Sequence, residues 1–132
     1  MTEPYDLRFT STHEWIAMEG KTRRCGISEY AQFFMGDITR VDLPEPDDHH
    51  YEEGEEIGTV ESLKTSLDLH MPVGGRITAV NTRLLSNPEI INEDAYDAGW
   101  IFEIKPDKPS AIEELMDIDE YEADIPDDYE EE

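Results

Sequence analysis

The chain has 132 residues, of which 10 are lysine or arginine and 34 are aspartate or glutamate, so its formal net charge is −24. This charge argues against nucleic acid and membrane surfaces as partners and favours partners with basic docking faces, although adaptation of the surface to salt is an alternative cause. With no apolar run that could span a bilayer, no secretory leader pattern and a single cysteine, the sequence predicts one domain in the reducing cytoplasm.

The N-terminal part of the chain is predicted to hold β-strands followed by one short helix. Residues 6–28 read as strands around a glycine turn, with Trp15 and Ala17 directed inward. Ser28 can accept hydrogen bonds from the free N–H groups of a first helical turn, and Gly36 can adopt the left-handed conformation that ends a helix. We therefore expect a helix between these two residues.

The middle of the chain is predicted to form a strand, a loop and a hairpin. A strand within 37–46 is stopped by prolines, and the acidic, aperiodic segment 47–56 reads as a loop. Two strands follow at 57–63 and 66–70, with a tight turn between them. That turn contains Lys64, which is one of few lysines in this chain.

The C-terminal part combines two further strands with short helices. Residues 76–81 and 100–106 have strand patterns, and the segment between them reads as turns and short helical pieces. Ser110 and Glu113 have the spacing of a capping box, which predicts a helix that begins there. The whole pattern predicts a mainly β fold: a small sandwich or flattened barrel of two antiparallel sheets with short peripheral helices.

The last segment of the chain is strongly acidic and contains no lysine or arginine from residue 109 onward. Three apolar side chains are expected to anchor its first part to the body of the protein: Ile118, Tyr121 and Ile125. We therefore place the domain at 1–125. Residues 126–132 repel one another and are predicted to form a disordered tail that serves solubility.

Lys64 lies at the tip of the predicted hairpin, where it is solvated, charged and a poor nucleophile or base. The same exposure makes it a good attachment point, because another enzyme can reach it from all sides. The flanking strands fix its direction, and Glu61, three residues earlier, offers that enzyme a handle. An ordinary exposed lysine is the alternative, and the surrounding sequence decides between the two.

The sequence around this lysine reads "VESLKTSLDLHMPVGGRITAVN", with Lys64 following Glu-Ser-x. It resembles the lipoyl-attachment segment of the glycine cleavage system H proteins. Further segments resemble that family, in order, over residues 7–124: "THEW", "GISEYAQ", "GDITRVDLPEP", "NPEIINEDAYDAGWIFEIKP" and "EYEA". The resemblance implies a lipoyl-domain-like sandwich that presents its lysine on a hairpin turn, which agrees with the strand pattern.

The resemblance also implies a carrier rather than an enzyme, with (R)-lipoate in amide linkage to Lys64 performing the chemistry. In the family the arm accepts an aminomethyl group from a pyridoxal-phosphate glycine decarboxylase and carries it to a tetrahydrofolate-dependent aminomethyltransferase. Dihydrolipoamide dehydrogenase then reoxidises the arm, and a lipoate-attaching enzyme is a further implied partner. One tethered arm visiting three sites gains from effective concentration.

Three polar residues match the cleft in which the family shelters its loaded arm: Thr12, Glu14 and Asp68. The resemblance implies that a carboxylate there stabilises the positive charge of the loaded amine. The alternative is that Glu14 caps an edge strand and that Asp68 belongs to a turn.

The sequence departs from the family around the lysine, where Thr65, Leu67 and His70 replace the residues that are common there. These changes leave the modification in place but open the question of docking partners. A closely similar role is that of the lipoate-binding H-like proteins in sulfur oxidation, which work with a heterodisulfide-reductase-like complex. A lipoyl reservoir or relay, a biotinyl domain and an unmodified acidic interaction module are further alternatives. The biotinyl alternative is disfavoured because the lysine lacks flanking methionines.

Other side chains with chemical potential fit structural roles better. Adjacent histidines point apart, so His49 and His50 are interpreted as part of a solvated loop rather than as a metal site. Neighbouring arginines can lower the pKa of Cys25, but a satisfied strand cysteine is favoured. Four aromatic residues are expected in the core or lining a cleft: Phe9, Trp15, Trp100 and Phe102.

Overall fold

Nine short strands form two antiparallel sheets in the computed structural model, which describes residues 3–18, 20–47 and 49–125. The strands are β1 (Leu7–Phe9), β2 (Glu14–Ala17), β3 (Arg23–Ile27), β4 (Ile38–Asp42), β5 (His50–Tyr51), β6 (Glu56–Ser62), β7 (Ser66–His70), β8 (Gly75–Val80) and β9 (Phe102–Pro106). One sheet has the order β1-β2-β3-β9-β8-β5 and the other β4-β6-β7. Both sheets are open, so the predicted two-sheet, mainly β fold is confirmed in its sandwich form.

Short helices lie at the periphery of the sheets. They are α1 (Glu29–Met35), α2 (Arg83–Ser86), α3 (Ile90–Glu93) and α4 (Ile118–Asp124), with 3₁₀ turns at Pro4–Asp6 and Pro109–Glu114. No helix in the described ranges has the length and apolar character that crossing a membrane requires. The predicted disordered tail, 126–132, lies outside the described residues.

The main core fills the space between the two sheets. Ile16, Ile77 and Phe102 of the larger sheet belong to the same buried cluster as Val60 and Leu69 of the smaller sheet. Because successive residues of a strand point to opposite faces, one face of each sheet supplies these side chains. Burial of this kind is the dominant favourable term in folding such a small domain.

The second strand is buried on both faces, unlike the one-sided pattern expected from the sequence. Ile16 joins the main core, whereas Trp15 joins a second cluster on the outer face, and Ala17 is half-buried. The Trp15 indole donates a hydrogen bond to the Ala95 carbonyl at 3.0 Å. Gly26 lies opposite Trp15, and a Cβ there would come 2.7 Å from the indole nitrogen, so the ring requires a glycine.

The first helix forms as its sequence predicts. The Ser28 hydroxyl accepts a hydrogen bond from the Ala31 N–H at 3.1 Å, which satisfies one of the free donors of the first turn. Gly36 ends the helix with a φ of 77°, a conformation that favours glycine. The helix is thereby fixed between the larger sheet and the lysine-bearing hairpin.

The capping box predicted at Ser110 and Glu113 is wrong. The 3₁₀ turn there begins after Lys108 and has no side-chain cap, whereas the capping box forms between Asp117 and Glu120. The cause is tertiary: the chain becomes extended after the 3₁₀ turn because Met116 exchanges two backbone hydrogen bonds with Phe9 of β1. A helix cannot run through a residue whose backbone is paired to a strand.

The C-terminal helix is anchored as expected. Tyr121 is buried and its ring stacks on that of Phe9 at 4.7 Å between centroids. Ile118 and Ile125 pack against the same cluster. The predicted core aromatics are buried, except that Trp100 is half-buried beneath the Arg24 guanidinium, 4.5 Å from its ring centroid.

Candidate functional site

Lys64 is exposed in the short turn between β6 and β7, where the sequence predicts it. The Ser62 N–H donates to the Thr65 carbonyl at 2.8 Å across the mouth of this turn. The Ser62 hydroxyl accepts hydrogen bonds from the N–H groups of both Lys64 and Thr65 at 3.2 Å. A serine that bonds its own turn in this way replaces the glycine that tight hairpins usually require.

The side chain of Lys64 extends over the end of α1. A Cβ at Gly36 would lie 3.3 Å from the Lys64 Cδ, and the Lys64 ammonium lies 6.0 Å from the centroid of the Phe34 ring. No carboxylate of the described chain forms an ion pair with Lys64. The ammonium group is therefore available to another enzyme.

A groove of about 220 Å³ lies beside this hairpin, between α1 and β7. Its lining is mainly apolar and aromatic: Tyr30, Ala31, Phe34, Met35 and Leu67 with His13, Thr65 and Ser66. Because Thr65 and Ser66 belong to both the hairpin and the groove, a long side chain attached at residue 64 has an apolar surface next to it. Phe34 is also more than half exposed, at 59%.

Glu14 is a buried carboxylate with no exposed surface. Its Oε1 accepts hydrogen bonds from the hydroxyls of Thr10, at 2.8 Å, and Thr12, and its Oε2 accepts one from the His70 N–H at 3.1 Å. The ring nitrogen Nδ1 of His70 lies 3.2 Å from the same Oε2. Burial raises the pKa of Glu14, and the hydrogen bonds from Thr12, Thr10 and His70 oppose that rise.

His13 joins the groove to the C-terminal helix. It has a φ of 73°, a strained value for a residue other than glycine, and its Nδ1 lies 2.7 Å from the Tyr121 hydroxyl. That hydroxyl is also 2.7 Å from the hydroxyl of Ser28, the cap of α1. Burial lowers the pKa of His13, while the charge of Asp124 acts in the opposite direction. One tyrosine hydroxyl thus ties α4 to both α1 and the groove.

The structure brings together two of the four residues predicted to shelter the arm or to be recognised with the lysine. Thr12 and Glu14 are in contact, and β2 is an interior strand, so the edge-strand interpretation of Glu14 is wrong. Asp68 is exposed within β7, opposite Thr59, and not in a turn. Glu61 is paired with Arg40 of β4 at 3.4 Å.

Sequence reasoning missed Ser62, His70 and the bond between His13 and Tyr121. Ser62 carries a local signal, because a serine two residues before a turn lysine can bond the turn N–H groups. His70 reaches Glu14 across 56 residues and Tyr121 reaches His13 across 108, so no local pattern reveals them.

The two adjacent histidines and the cysteine lie apart from this site. His49 packs against Tyr51, and the Nε2 of His50 lies 2.5 Å from a carboxylate oxygen of Asp107. No group of three or more possible metal ligands occurs among the residues that the structure describes. Cys25 is fully buried in β3, as favoured from the sequence, and burial raises the pKa of its thiol by more than the charge of Arg23 lowers it.

The chain is similar to a group of named proteins over almost its whole length. A sequence profile of the family described as glycine cleavage H-protein matches residues 7–128. Proteins named glycine cleavage system H protein are 46% identical in Salinibacter ruber, covering 92% of this chain and 97% of theirs, and 43% identical in Acinetobacter baumannii, covering 93% and 98%. The crystal structure of such a protein from Mycobacterium marinum superposes with a TM-score of 0.82 at 36% identity, covering 92% of this chain and 98% of its own.

Proposed function

The chain belongs to the glycine cleavage H-protein family and has the lipoyl carrier role of that family, and we propose that Lys64 is the residue that carries lipoate. The observation that supports Lys64 is its position: it is exposed, unpaired with any described carboxylate, and held at the tip of a turn that Ser62 orders. A rigid hairpin presents a single amine to an attaching enzyme and restricts the directions in which the arm can leave.

The cofactor supplies the chemistry, in which a dithiolane takes up an aminomethyl group at glycine decarboxylase, gives it up at the aminomethyltransferase and is reoxidised by dihydrolipoamide dehydrogenase. The residues of this chain contribute attachment, direction and shelter. We place the protein with these enzymes in the cytoplasm, where the free thiol of Cys25 stays reduced. The similar proteins are named glycine cleavage system H protein, which favours a role in glycine cleavage over the sulfur-oxidation alternative.

Shelter for the arm is proposed in the groove between α1 and β7. Its apolar lining fits a methylene chain, and it begins at the hairpin that carries Lys64. Because β7 rises about 3.3 Å per residue, the four steps from Ser66 to His70 span about 13 Å toward Glu14. Thr12 and Glu14 are the groups proposed to hold the cationic end of a loaded arm.

Two predicted recognition residues remain predictions. Asp68 is exposed on the same strand as His70, and an arm lying along that strand would pass it. Glu61 lies on β6 beside the turn, but its exposed pair with Arg40 is worth little energy and can open to an attaching enzyme. Removing the charge of each residue tests the two predictions separately. The rate of lipoylation is measured for the Glu61 variant, and release of the arm from the groove is measured for the Asp68 variant.

The test of the proposal is the intact mass and peptide map of the protein isolated from its native cells. A lipoyl increment on the peptide that contains Lys64 is the expected result. Lys64→Arg should lose the increment and keep the fold, whereas Lys105→Arg, which changes another exposed lysine, should keep both. An unmodified protein from cells that lipoylate other proteins would instead indicate an acidic interaction module.

A further inference from the structure

The carboxylate of Glu14 is fully occupied in the structure. Oε1 accepts hydrogen bonds from the two threonine hydroxyls. Oε2 accepts one from the His70 backbone N–H and is in hydrogen-bond contact with the His70 ring. The backbone N–H belongs to β7 and stays in place, so the imidazole is the partner on Oε2 that a side-chain rotation can remove. The His70 side chain is 23% exposed, whereas that of Glu14 has no exposure. The ring is thus a cover over one oxygen of a buried carboxylate.

We propose that the His70 ring is a removable cover of a site for a primary ammonium group. In the empty carrier the ring holds Oε2 of Glu14, and it rotates away when an ammonium group takes its place. This inference rests on the proposed function, because the ammonium group is the cationic end of the loaded arm. His70 is then a positioning residue that acts through Glu14.

The surroundings of His70 provide room for this rotation. A cavity of about 450 Å³ is lined by Thr10, Thr12, His70 and Pro72, among others. His70 therefore borders open space, and its side chain is partly exposed. Rotation into that space exposes Oε2 without moving either strand.

The charges around His70 favour a cation. Glu14 faces the ring from β2, Glu56 lies opposite His70 on β6, and Glu53 and Glu114 line the same cavity. No lysine or arginine lines that cavity in the part of the chain that the structure describes. A pocket lined by one sign of charge raises the local concentration of the opposite ion, so an ammonium group is attracted here while nothing in the lining competes with it.

The test observes the histidine rings by ¹⁵N NMR in the unlipoylated Lys64→Arg protein. Methylammonium is added to about 100 mM, well above the millimolar effective concentration that a short tether supplies. We expect saturable shifts of the His70 ring nitrogens, none at His49, and none with tetramethylammonium, which has no N–H donor. Glu14→Gln should abolish the response.

A His70→Ala variant measures the competition directly. If the ring competes for Oε2, its removal should lower the methylammonium dissociation constant about fivefold, since a typical hydrogen bond has that net effect. The ¹³C shift of the Glu14 carboxyl follows binding. Unchanged His70 nitrogens in the parent protein, or weaker binding in a folded His70→Ala variant, would overturn the proposal.

Because these measurements use no lipoate, they are independent of whether Lys64 is lipoylated. A failure of the proposed function appears as an unmodified native protein, and a failure of the His70 cover appears as silent ring nitrogens. The two failures are therefore distinguishable.

Discussion

Replacement of Tyr121 by phenylalanine should destabilise the protein while leaving its packing unchanged. The ring is buried and stacks on Phe9 at 4.7 Å, and phenylalanine keeps that stacking. What is lost is a hydroxyl that lies 2.7 Å from both His13 Nδ1 and the Ser28 hydroxyl. Two buried hydrogen bonds with partners left incompletely satisfied correspond to about 2–3 kcal/mol.

That loss is large enough to measure. For a domain of this length, 1 kcal/mol shifts the melting temperature by about 3–4 °C, so Tyr121→Phe should melt about 6–12 °C below the parent. The matched control is Tyr5→Phe. Because Tyr5 is 71% exposed, this variant should have the melting temperature of the parent. Calorimetry at neutral pH provides both values.

A double-mutant cycle shows whether the hydroxyl network is the cause. Ser28→Ala removes one partner of Tyr121, so the effects of Tyr121→Phe and Ser28→Ala should be non-additive by at least about 0.5 kcal/mol. Additive effects, or a Tyr121→Phe variant that melts within a degree of the parent, would refute the view that this hydroxyl ties α4 to α1.

Three further perturbations test the hairpin, the buried carboxylate and the surface. Ser62→Ala should slow lipoylation several-fold in an initial-rate assay. It should change the unfolding free energy by less than about 1 kcal/mol, because water replaces the lost hydrogen bonds in this exposed turn. An unchanged lipoylation rate would show that the turn needs no serine. Burial raises the pKa of Glu14, so the folded protein binds a proton there more tightly than the unfolded chain does. The stability that Glu14 contributes through this proton is fully present below the unfolded pKa of about 4.3 and is lost as pH rises through the folded pKa. The unfolding free energy of the parent minus that of Glu14→Gln should therefore fall with rising pH in urea titrations, and a flat difference would contradict the raised pKa. Arg40→Ala should alter stability by less than about 0.5 kcal/mol, because its pair with Glu61 is exposed; a larger loss in the same urea assay would mean that this pair fixes β4 to β6.

Features whose causes are local in sequence could be predicted. The hairpin follows from two strand patterns around a short polar turn, and α1 follows from its serine cap and its terminal glycine, Ser28 and Gly36. Each of these depends on residues within a few positions of one another. The lysine that the hairpin presents could be located for the same reason.

Features whose causes are distant could not be predicted. The spacing of Ser110 and Glu113 suits a capping box, but strand pairing of Met116 with Phe9 prevents the helix. The cover of Glu14 by His70 likewise depends on two strands that meet only in the folded sandwich. Local propensity is a weak prior that tertiary contacts override.

The contacts of the arginines are a further feature that the sequence does not reveal. Arg23 donates to the carbonyls of Ala17 and Met18, and Arg8 donates to that of Glu113, so these guanidinium groups bind backbone rather than carboxylates. Arg24 lies over the Trp100 ring. Arg23 still lowers the pKa of Cys25 through its charge, but burial of the thiol raises that pKa by more.

Most acidic side chains among the described residues lack a lysine or arginine ion-pair partner, on a chain whose net charge is −24. The lysine hairpin therefore projects from an acidic surface, and each enzyme that meets it must approach through a negative field. Such a field favours enzymes with basic faces and attracts an ammonium group toward Glu14 through the same Coulomb attraction. The charge that argues against phosphate polymers as partners would thus suit the cationic cargo proposed for this carrier.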